Sequence, residues 1–289
     1  METPEGLEAR DALARARAFL GAQGAQSELL RLEVLLGERP PTDLEQALAP
    51  WRSPGDDVCV VLGVLEALAD AECLRVALAA ELAQSLQSSQ QPDGSWRAPG
   101  GPGREPVGLL LGPRDALFLT GMLGAFLGRT ARSNAFALRA AGGFLGRHWS
   151  PALVQSGSWH AISAYAHFFS NVPHDLGDAV LQWCGRELER GFRDGAIDAV
   201  WAARVFTLCD AHALPGARLD ARELVPALLH AQSVDGGWPA STTAARVSNT
   251  LWGALGLVKL RPRSAPRQGL QPPPWQGRLR RSSDGEPRP

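Results

Sequence analysis

The sequence predicts an all-α fold, and more specifically an α6/α6 toroid in which six helical hairpins form a double ring. Apolar residues recur at helical spacing in long blocks, and strand-like alternation is missing. Clusters of glycine, proline and serine separate these blocks. A short element ending in tryptophan also recurs between blocks. Its period of roughly 40 residues is typical of proteins built from repeated helix pairs.

The blocks form six predicted helix pairs, and the two members of each pair differ in kind. The pairs are 8–22 with 27–37, 42–49 with 56–71, 74–88 with 113–128, 134–147 with 160–170, 178–191 with 198–213, and 221–232 with 247–260. First members are amphipathic, whereas second members are apolar almost all round. A helix that is apolar on every side must be enclosed by other helices. We therefore expect an inner ring of second members within one domain at 1–260, followed by a disordered Pro/Arg-rich tail at 261–289.

The composition of the chain argues against several classes of function. Hydrophobic residues make up 45% of the chain, charged residues 20%, and the net charge is −1. These values are typical of a globular protein and predict no nucleic-acid partner. Four cysteines lie singly in apolar blocks without a preceding signal peptide, which predicts free thiols and a cytoplasmic location. No apolar run is long enough to span a membrane, although the basic tail predicts peripheral contact with an anionic membrane as a secondary interpretation.

The recurring element has two full copies. Residues 90–96 read QQPDGSW and residues 232–239 read QSVDGGWP, each between an amphipathic and an apolar block. A shortened copy, QSGSW, occupies 155–159, and RDGAI at 193–197 lacks the tryptophan. Glycine permits the positive φ needed to leave a helix, aspartate accepts hydrogen bonds from turn amides, and an indole can cover helix ends. We therefore predict a structural role for Trp96 and Trp238.

This Q-x-x-D-G-x-W element resembles the repeat of the terpenoid cyclase and protein prenyltransferase superfamily. That superfamily includes squalene-hopene cyclases and protein prenyltransferase β subunits, and the resemblance covers roughly 74–260. It implies an α/α toroid whose apolar central cavity takes an isoprenoid or polyprenyl small molecule. The chain departs from the family in lacking the Asp-x-Asp-Asp and Asp-Asp-x-x-Asp strings that start cyclase reactions.

Polar residues near the predicted starts of the inner helices are the candidates for chemistry. They are Asp57, Asp115, His160, Asp198 and Asn249. Asp115, His160 and Asp198 begin consecutive inner helices, and neighbouring helices pack about 8–10 Å apart. We expect these three side chains to converge, with the protonated form of the histidine favoured by the carboxylates. The resemblance implies that Asp198 or Asp115, with His160, protonates an alkene. The alternative is that each aspartate simply caps its helix.

Aromatic and polar residues of the inner helices are the candidates for a substrate-binding wall, because π faces stabilise carbocations. They are Phe118, Trp159, Tyr165, His167, Phe168, Phe169, Trp201, Phe206, Asn249 and Trp252. The alternative for each of them is ordinary core packing.

Three functions stay open at this point. The leading hypothesis is a terpenoid cyclase or isomerase that uses acid chemistry and needs no cofactor. The second is a prenyltransferase β-subunit-like enzyme that needs a helical partner subunit and a metal, zinc or magnesium, for which Asp57 and Cys59 have the local form of ligands. The third is a toroid that binds an isoprenoid or a protein without catalysis.

Overall fold

The computed structural model describes residues 4–52, 57–99 and 112–261. These ranges form α-helices, one short 3-10 helix at Ala49–Trp51 and no strand, which confirms the all-α class. The α-helices are α1 Pro4–Ala22, α2 Gln26–Leu36, α3 Pro41–Leu48, α4 Val58–Asp70, α5 Ala77–Ser89, α6 Ala116–Arg129, α7 Ala135–His148, α8 Pro151–Gln155, α9 Trp159–Asn171, α10 Gly177–Arg193, α11 Ala199–Cys209, α12 Ala221–Ala231 and α13 Thr243–Lys259.

All twelve expected helices are present, with a few differences in their bounds. The short helix α8 was not expected. Helix α13 begins at Thr243 rather than at 247, because the Thr242 hydroxyl accepts a hydrogen bond from the Ala245 amide at 3.1 Å and starts the helix earlier. The expected start at residue 56 and the tail at 262–289 lie outside the described residues.

Burial follows the expected division into amphipathic and apolar helices. Residues 117–127 of α6 and 161–169 of α9 are buried without interruption. Helix α10, in contrast, buries Val180, Cys184 and Leu188 on one face. The first kind of helix is enclosed by its neighbours, and the second kind covers it on one side.

The packing partners of the enclosed helices follow chain order. Helix α2 packs against α4, α4 against α6, α6 against α9, α9 against α11, and α11 against α13. Helix α13 packs in turn against α2, so the series of neighbours returns to its first member. Helices α1, α3, α5, α7, α10 and α12 each pack against one or two members of this series.

Trp96 and Trp238 have the structural role expected of them. Both are fully buried. Their indole N–H groups donate to the carbonyl oxygens of Leu86 at 2.8 Å and Leu228 at 2.9 Å, near the end of the preceding helix. Their backbone amides donate to a threonine hydroxyl of the following helix. Each tryptophan therefore joins the two helices of its pair.

The glutamine of each copy bonds the first helix of another pair. The side-chain amide of Gln90 donates to the Ala137 carbonyl of α7, and that of Gln232 donates to the Ala12 carbonyl of α1, both at 2.9 Å. The last copy therefore contacts α1 in the way that the earlier copy contacts α7, the first helix of the pair after its own.

The glycine of each copy makes this close approach feasible. Gly94 and Gly236 have φ values of 91° and 90°. A Cβ atom on Gly94 would lie 2.2 Å from the Ala140 carbonyl oxygen, and one on Gly236 would lie 2.3 Å from that of Arg15. Both the backbone conformation and the neighbouring helix thus require glycine at these two positions.

The structure also bears on two smaller expectations. All four cysteines are free thiols. Within the described ranges, no helix has both the length and the apolar character needed to cross a bilayer.

Candidate functional site

A continuous cluster of aromatic rings extends over four of the enclosed helices. We call Phe118, Trp159, His160, Trp201 and Trp252 the aromatic cluster. The ring centroids of Trp159 lie 4.3 Å from His160 and 3.9 Å from Trp201. Phe118 lies 5.1 Å from His160, and Trp252 lies 5.1 Å from Trp201. The first four residues stand at or near the amino-terminal ends of α6, α9 and α11, and Trp252 is contributed by α13.

The aromatic cluster is a partly exposed surface rather than closed core. Phe118 is 6% exposed, whereas the three indoles and the His160 ring are half-buried. The Arg204 guanidinium lies 5.3 Å from the Trp252 ring centroid, a distance at which the cation and the ring attract each other. Flat rings held on four rigid helices can take an apolar group against their faces.

His160 and Asp115 interact, but in a different way from the one expected. Burial lowers the pKa of His160, and the charge of Asp115 offsets this only in part. The neutral imidazole is therefore favoured, which corrects the expectation of a protonated ring. One Asp115 carboxylate oxygen accepts a hydrogen bond from the Gly112 amide. No hydrogen bond or ion pair between Asp115 and His160 occurs in the described part of the chain.

Asp198 acts as a helix cap. Its Oδ1 accepts a hydrogen bond from the Trp201 amide at 2.9 Å. The side chain keeps access to solvent, yet the surrounding protein removes enough of its hydration to raise its pKa, against the opposing effect of backbone N–H groups. Among the residues described, nothing bonds Asp198 to His160. Asp115 and Asp198 thus lie beside the aromatic cluster, to which His160 belongs, and the three residues form no hydrogen-bonded triad in the described part of the chain.

Asp57 and Cys59, the alternative metal ligands, also form a cap. The Asp57 carboxylate accepts a hydrogen bond from the Cys59 amide at 2.9 Å. Burial, and then the Asp57 charge, raise the pKa of the Cys59 thiol. Across 4–52, 57–99 and 112–261, no group of three or more His, Cys, Asp or Glu residues is arranged to hold a metal ion.

Several candidate wall residues lie inside the packed core. Tyr165, Phe168 and Phe206 are fully buried, and Phe169 is 5% exposed. The Tyr165 hydroxyl donates to the Leu145 carbonyl of α7 at 3.3 Å, so this side chain faces an outer helix. These residues therefore pack between helices, whereas the aromatic cluster remains accessible.

Asn249 is not at the start of its helix, because α13 begins at Thr243. It is 4% exposed, and its side-chain amide donates to the Pro239 carbonyl at 2.8 Å. This bond holds the turn that follows Trp238, which is a structural contact.

The sequence interpretation missed an ion-pair network in the interior. Arg204 of α11 is 3% exposed and donates to Asp70 of α4 at 2.6 Å and also to Glu66. Two other helices separate α4 from α11 in either direction along the series of neighbours, so these bonds cross the interior. The expected apolar cavity is therefore occupied here by charged groups.

Two other cations also bond helices that are not neighbours in the series of enclosed helices. The Lys259 ammonium of α13 donates to the Ala69 carbonyl of α4 at 2.9 Å. Arg129 of α6 contacts the Leu208 carbonyl of α11 at 3.5 Å. The sequence signal was the presence of charged residues inside apolar blocks, since a charge there needs a partner.

Comparison of the chain with protein-family models, with curated proteins and with solved structures gives no match in any of the three.

Proposed function

We propose that the chain is an α6/α6 toroid that binds an isoprenoid or polyprenyl molecule on the aromatic cluster. The closed series α2, α4, α6, α9, α11 and α13 supports the toroid. So does the repeated contact of a glutamine with the next outer helix, which at Gln232 joins the last pair to α1. The observation that carries the function is the half-buried surface of Trp159, Trp201 and Trp252, spread over three enclosed helices.

An isoprenoid chain suits this surface for two physical reasons. Removing apolar area from water contributes about 25 cal/mol per Å², and the indoles offer broad faces without side-chain flexibility. The Arg204 guanidinium, which is bonded to Asp70, lies 5.3 Å from the Trp252 ring centroid, so charged groups border the apolar surface at this point. The ligand chain is therefore proposed to lie along the aromatic cluster, at one end of the interior.

We further propose that Asp198 acts as an acid towards the bound ligand. Asp198 is the N-cap of α11, three residues before Trp201 of the aromatic cluster. Its raised pKa keeps more of the carboxyl protonated at a given pH than in an aspartate surrounded only by water. A proton donated there would reach a polyprene held on the indoles, whose faces would stabilise the resulting cation.

Binding of farnesol and squalene, followed by calorimetry or tryptophan fluorescence, tests the proposal. Trp201→Ala should weaken binding about 5- to 150-fold, since losing one indole face removes about 1–3 kcal/mol. Trp183→Ala is the matched control, because Trp183 is also half-buried but lies on α10 beside Arg186. Absence of binding to the unsubstituted protein, or an equal loss in both variants, would contradict the proposal.

Product analysis of the same mixtures tests the acid chemistry. We expect the unsubstituted protein to convert the bound polyprene, and Asp198→Asn to bind it without conversion, since asparagine caps a helix as well as aspartate does. Recovery of unchanged polyprene from the unsubstituted protein would leave binding as the function and exclude Asp198 as an acid.

A further inference from the structure

Two side chains of α9 are buried without hydrogen-bond partners. His167 and Ser163 are both 0% exposed. Neither ring nitrogen of His167 has a hydrogen-bond partner among the described residues, and the Ser163 hydroxyl has none there either. Buried polar groups in folded proteins are nearly always bonded to protein, water or ligand, and a group left unpaired is costly. Ser163 and His167 are one helical turn apart, so a single polar group could bond both side chains.

These side chains share a helix face with the aromatic cluster. His160, Ser163 and His167 follow one another at spacings of three and four residues, so they lie along one stripe of α9. His160 belongs to the aromatic cluster, and His167 lies about 10 Å further along the helix axis. The stripe therefore leads from the proposed binding surface towards the interior.

The surroundings of His167 determine which chemistry it can bind. The Phe126 ring of α6 packs edge-on against it, at 4.5 Å between centroids. Burial lowers the pKa of His167 well below its usual range, and the positive charges of Arg129 and Arg204 lower it further. A neutral imidazole offers one donor and one acceptor, and a serine hydroxyl also does both. The matching partner is a group that donates and accepts, such as a hydroxyl.

The charges around His167 give no reason to expect an anionic ligand there. The cations that act on His167 are Arg129 and Arg204, and Arg31 and Lys259 interact with the same group of charges. The carboxylates that act on them are Glu66, Asp70, Glu72 and Asp210. The four positive charges are thus matched by four negative ones, and Arg204 already has two carboxylate partners.

We propose that Ser163 and His167 bind the hydroxyl group of the ligand whose apolar part lies on the aromatic cluster, so that the ligand is an isoprenoid alcohol. The inference rests on the proposed function and makes its ligand class specific. Both side chains are covered in this structure, so the hydroxyl reaches them only when side chains of the aromatic cluster move apart.

The test compares three ligands that share one chain. Affinities of farnesol, farnesyl methyl ether and farnesyl diphosphate are measured for the unsubstituted protein and for Ser163→Ala. We expect farnesol to bind about 10-fold more tightly than the ether, since the ether cannot donate a hydrogen bond. In Ser163→Ala this preference should fall to about 2-fold or less, mainly through weaker binding of farnesol.

Two further variants complete the design. His167→Phe should also remove the preference, and circular dichroism checks that this variant folds. Ser88→Ala should keep the preference, because Ser88 is an exposed serine of α5 that bonds only within its own helix.

The outcomes separate this inference from the proposed function. If all three ligands bind equally well, the proposed function stands and the inference fails, with a buried water then satisfying Ser163 and His167. Tightest binding of the diphosphate would likewise overturn the alcohol assignment. If none of the three binds, the proposed function fails and the inference fails with it.

Discussion

Two capping aspartates show how the surroundings set the properties of a single residue type. Asp198 caps α11 and Asp220 caps α12, each accepting hydrogen bonds from amides of the first turn. The pKa of Asp198 is raised, chiefly because burial disfavours its charged form. The pKa of Asp220 is lowered, chiefly because the Arg222 side chain donates hydrogen bonds to it. The two aspartates thus cap their helices in the same way, but the pKa of Asp198 is raised and the pKa of Asp220 is lowered.

This difference predicts opposite pH dependences of stability. An acid with a raised pKa binds more protons in the folded state, so its contribution to stability is lost as pH rises through that pKa. An acid with a lowered pKa contributes stability above its usual value, and the contribution is lost as pH falls. Between about pH 3 and pH 6, the advantage of the unsubstituted protein over Asp198→Asn should shrink with rising pH, while its advantage over Asp220→Asn should grow. Urea unfolding across this range measures both, and trends of equal sign would contradict the assignment.

The element from Gln232 to Trp238 shows how a short motif fixes the position of a whole helix. The glutamine bonds α1, the indole joins α12 to α13, and the glycine lets the turn approach α1. The sequence pattern predicted the turn and the buried indole. The expected ring places the last pair beside the first, but the pattern did not predict that the glutamine would bond α1.

Two glycines with similar φ but different surroundings separate conformational strain from crowding. Gly157 and Gly236 both have positive φ, but a Cβ atom on Gly157 would meet nothing within 4 Å, whereas one on Gly236 would meet the Arg15 carbonyl. Gly157→Ala should therefore cost about 1–2 kcal/mol of unfolding free energy, from the left-handed backbone alone. Gly236→Ala should cost about 2–5 kcal/mol, because α1 must also shift. Chemical denaturation measures both. Equal losses would show that the turn does not pack tightly on α1.

At the scale of the whole molecule, charged side chains connect helices that are distant along the chain. Arg204 and Asp70 are 134 residues apart in sequence and 3% and 1% exposed. A buried guanidinium is tolerated when carboxylates accept its hydrogen bonds, and removing one partner leaves an uncompensated charge. The network therefore fixes how α4 and α11 face each other across the interior.

Removing Arg204 should accordingly destabilise the whole fold. Arg204→Met should cost about 3–5 kcal/mol, because Asp70 is left buried without its main partner. The triple variant Arg204→Met, Asp70→Leu, Glu66→Met should recover part of that loss, since Arg204 and both of its carboxylate partners are removed together, while Arg31 and Lys259 still lose Asp70. Arg193→Met is the control. Arg193 pairs with Glu223 at the exposed surface, so its replacement should change the free energy of unfolding little. Urea unfolding distinguishes these variants, and a loss in Arg204→Met no larger than in Arg193→Met would contradict the interpretation.

The sequence by itself determined the helices and their division into enclosed and outer members. Helical periodicity and turn residues act over a few neighbouring positions, so α1 to α7 and α9 to α13 could be predicted within a few residues. The same local pattern identified Trp159, Trp201 and Trp252 as candidate wall residues, and they belong to one cluster.

Only the tertiary structure decided which side chains meet. Periodicity places Asp115, His160 and Asp198 near helix starts, but it does not say that Asp198 bonds its own helix while Asp115 acts on His160. Nor does it show that Arg204 meets Asp70 across the interior. Local sequence sets backbone conformation and the apolar face, whereas the partner of a polar side chain depends on distances between helices far apart in the chain. Those distances arise only when the helices pack together.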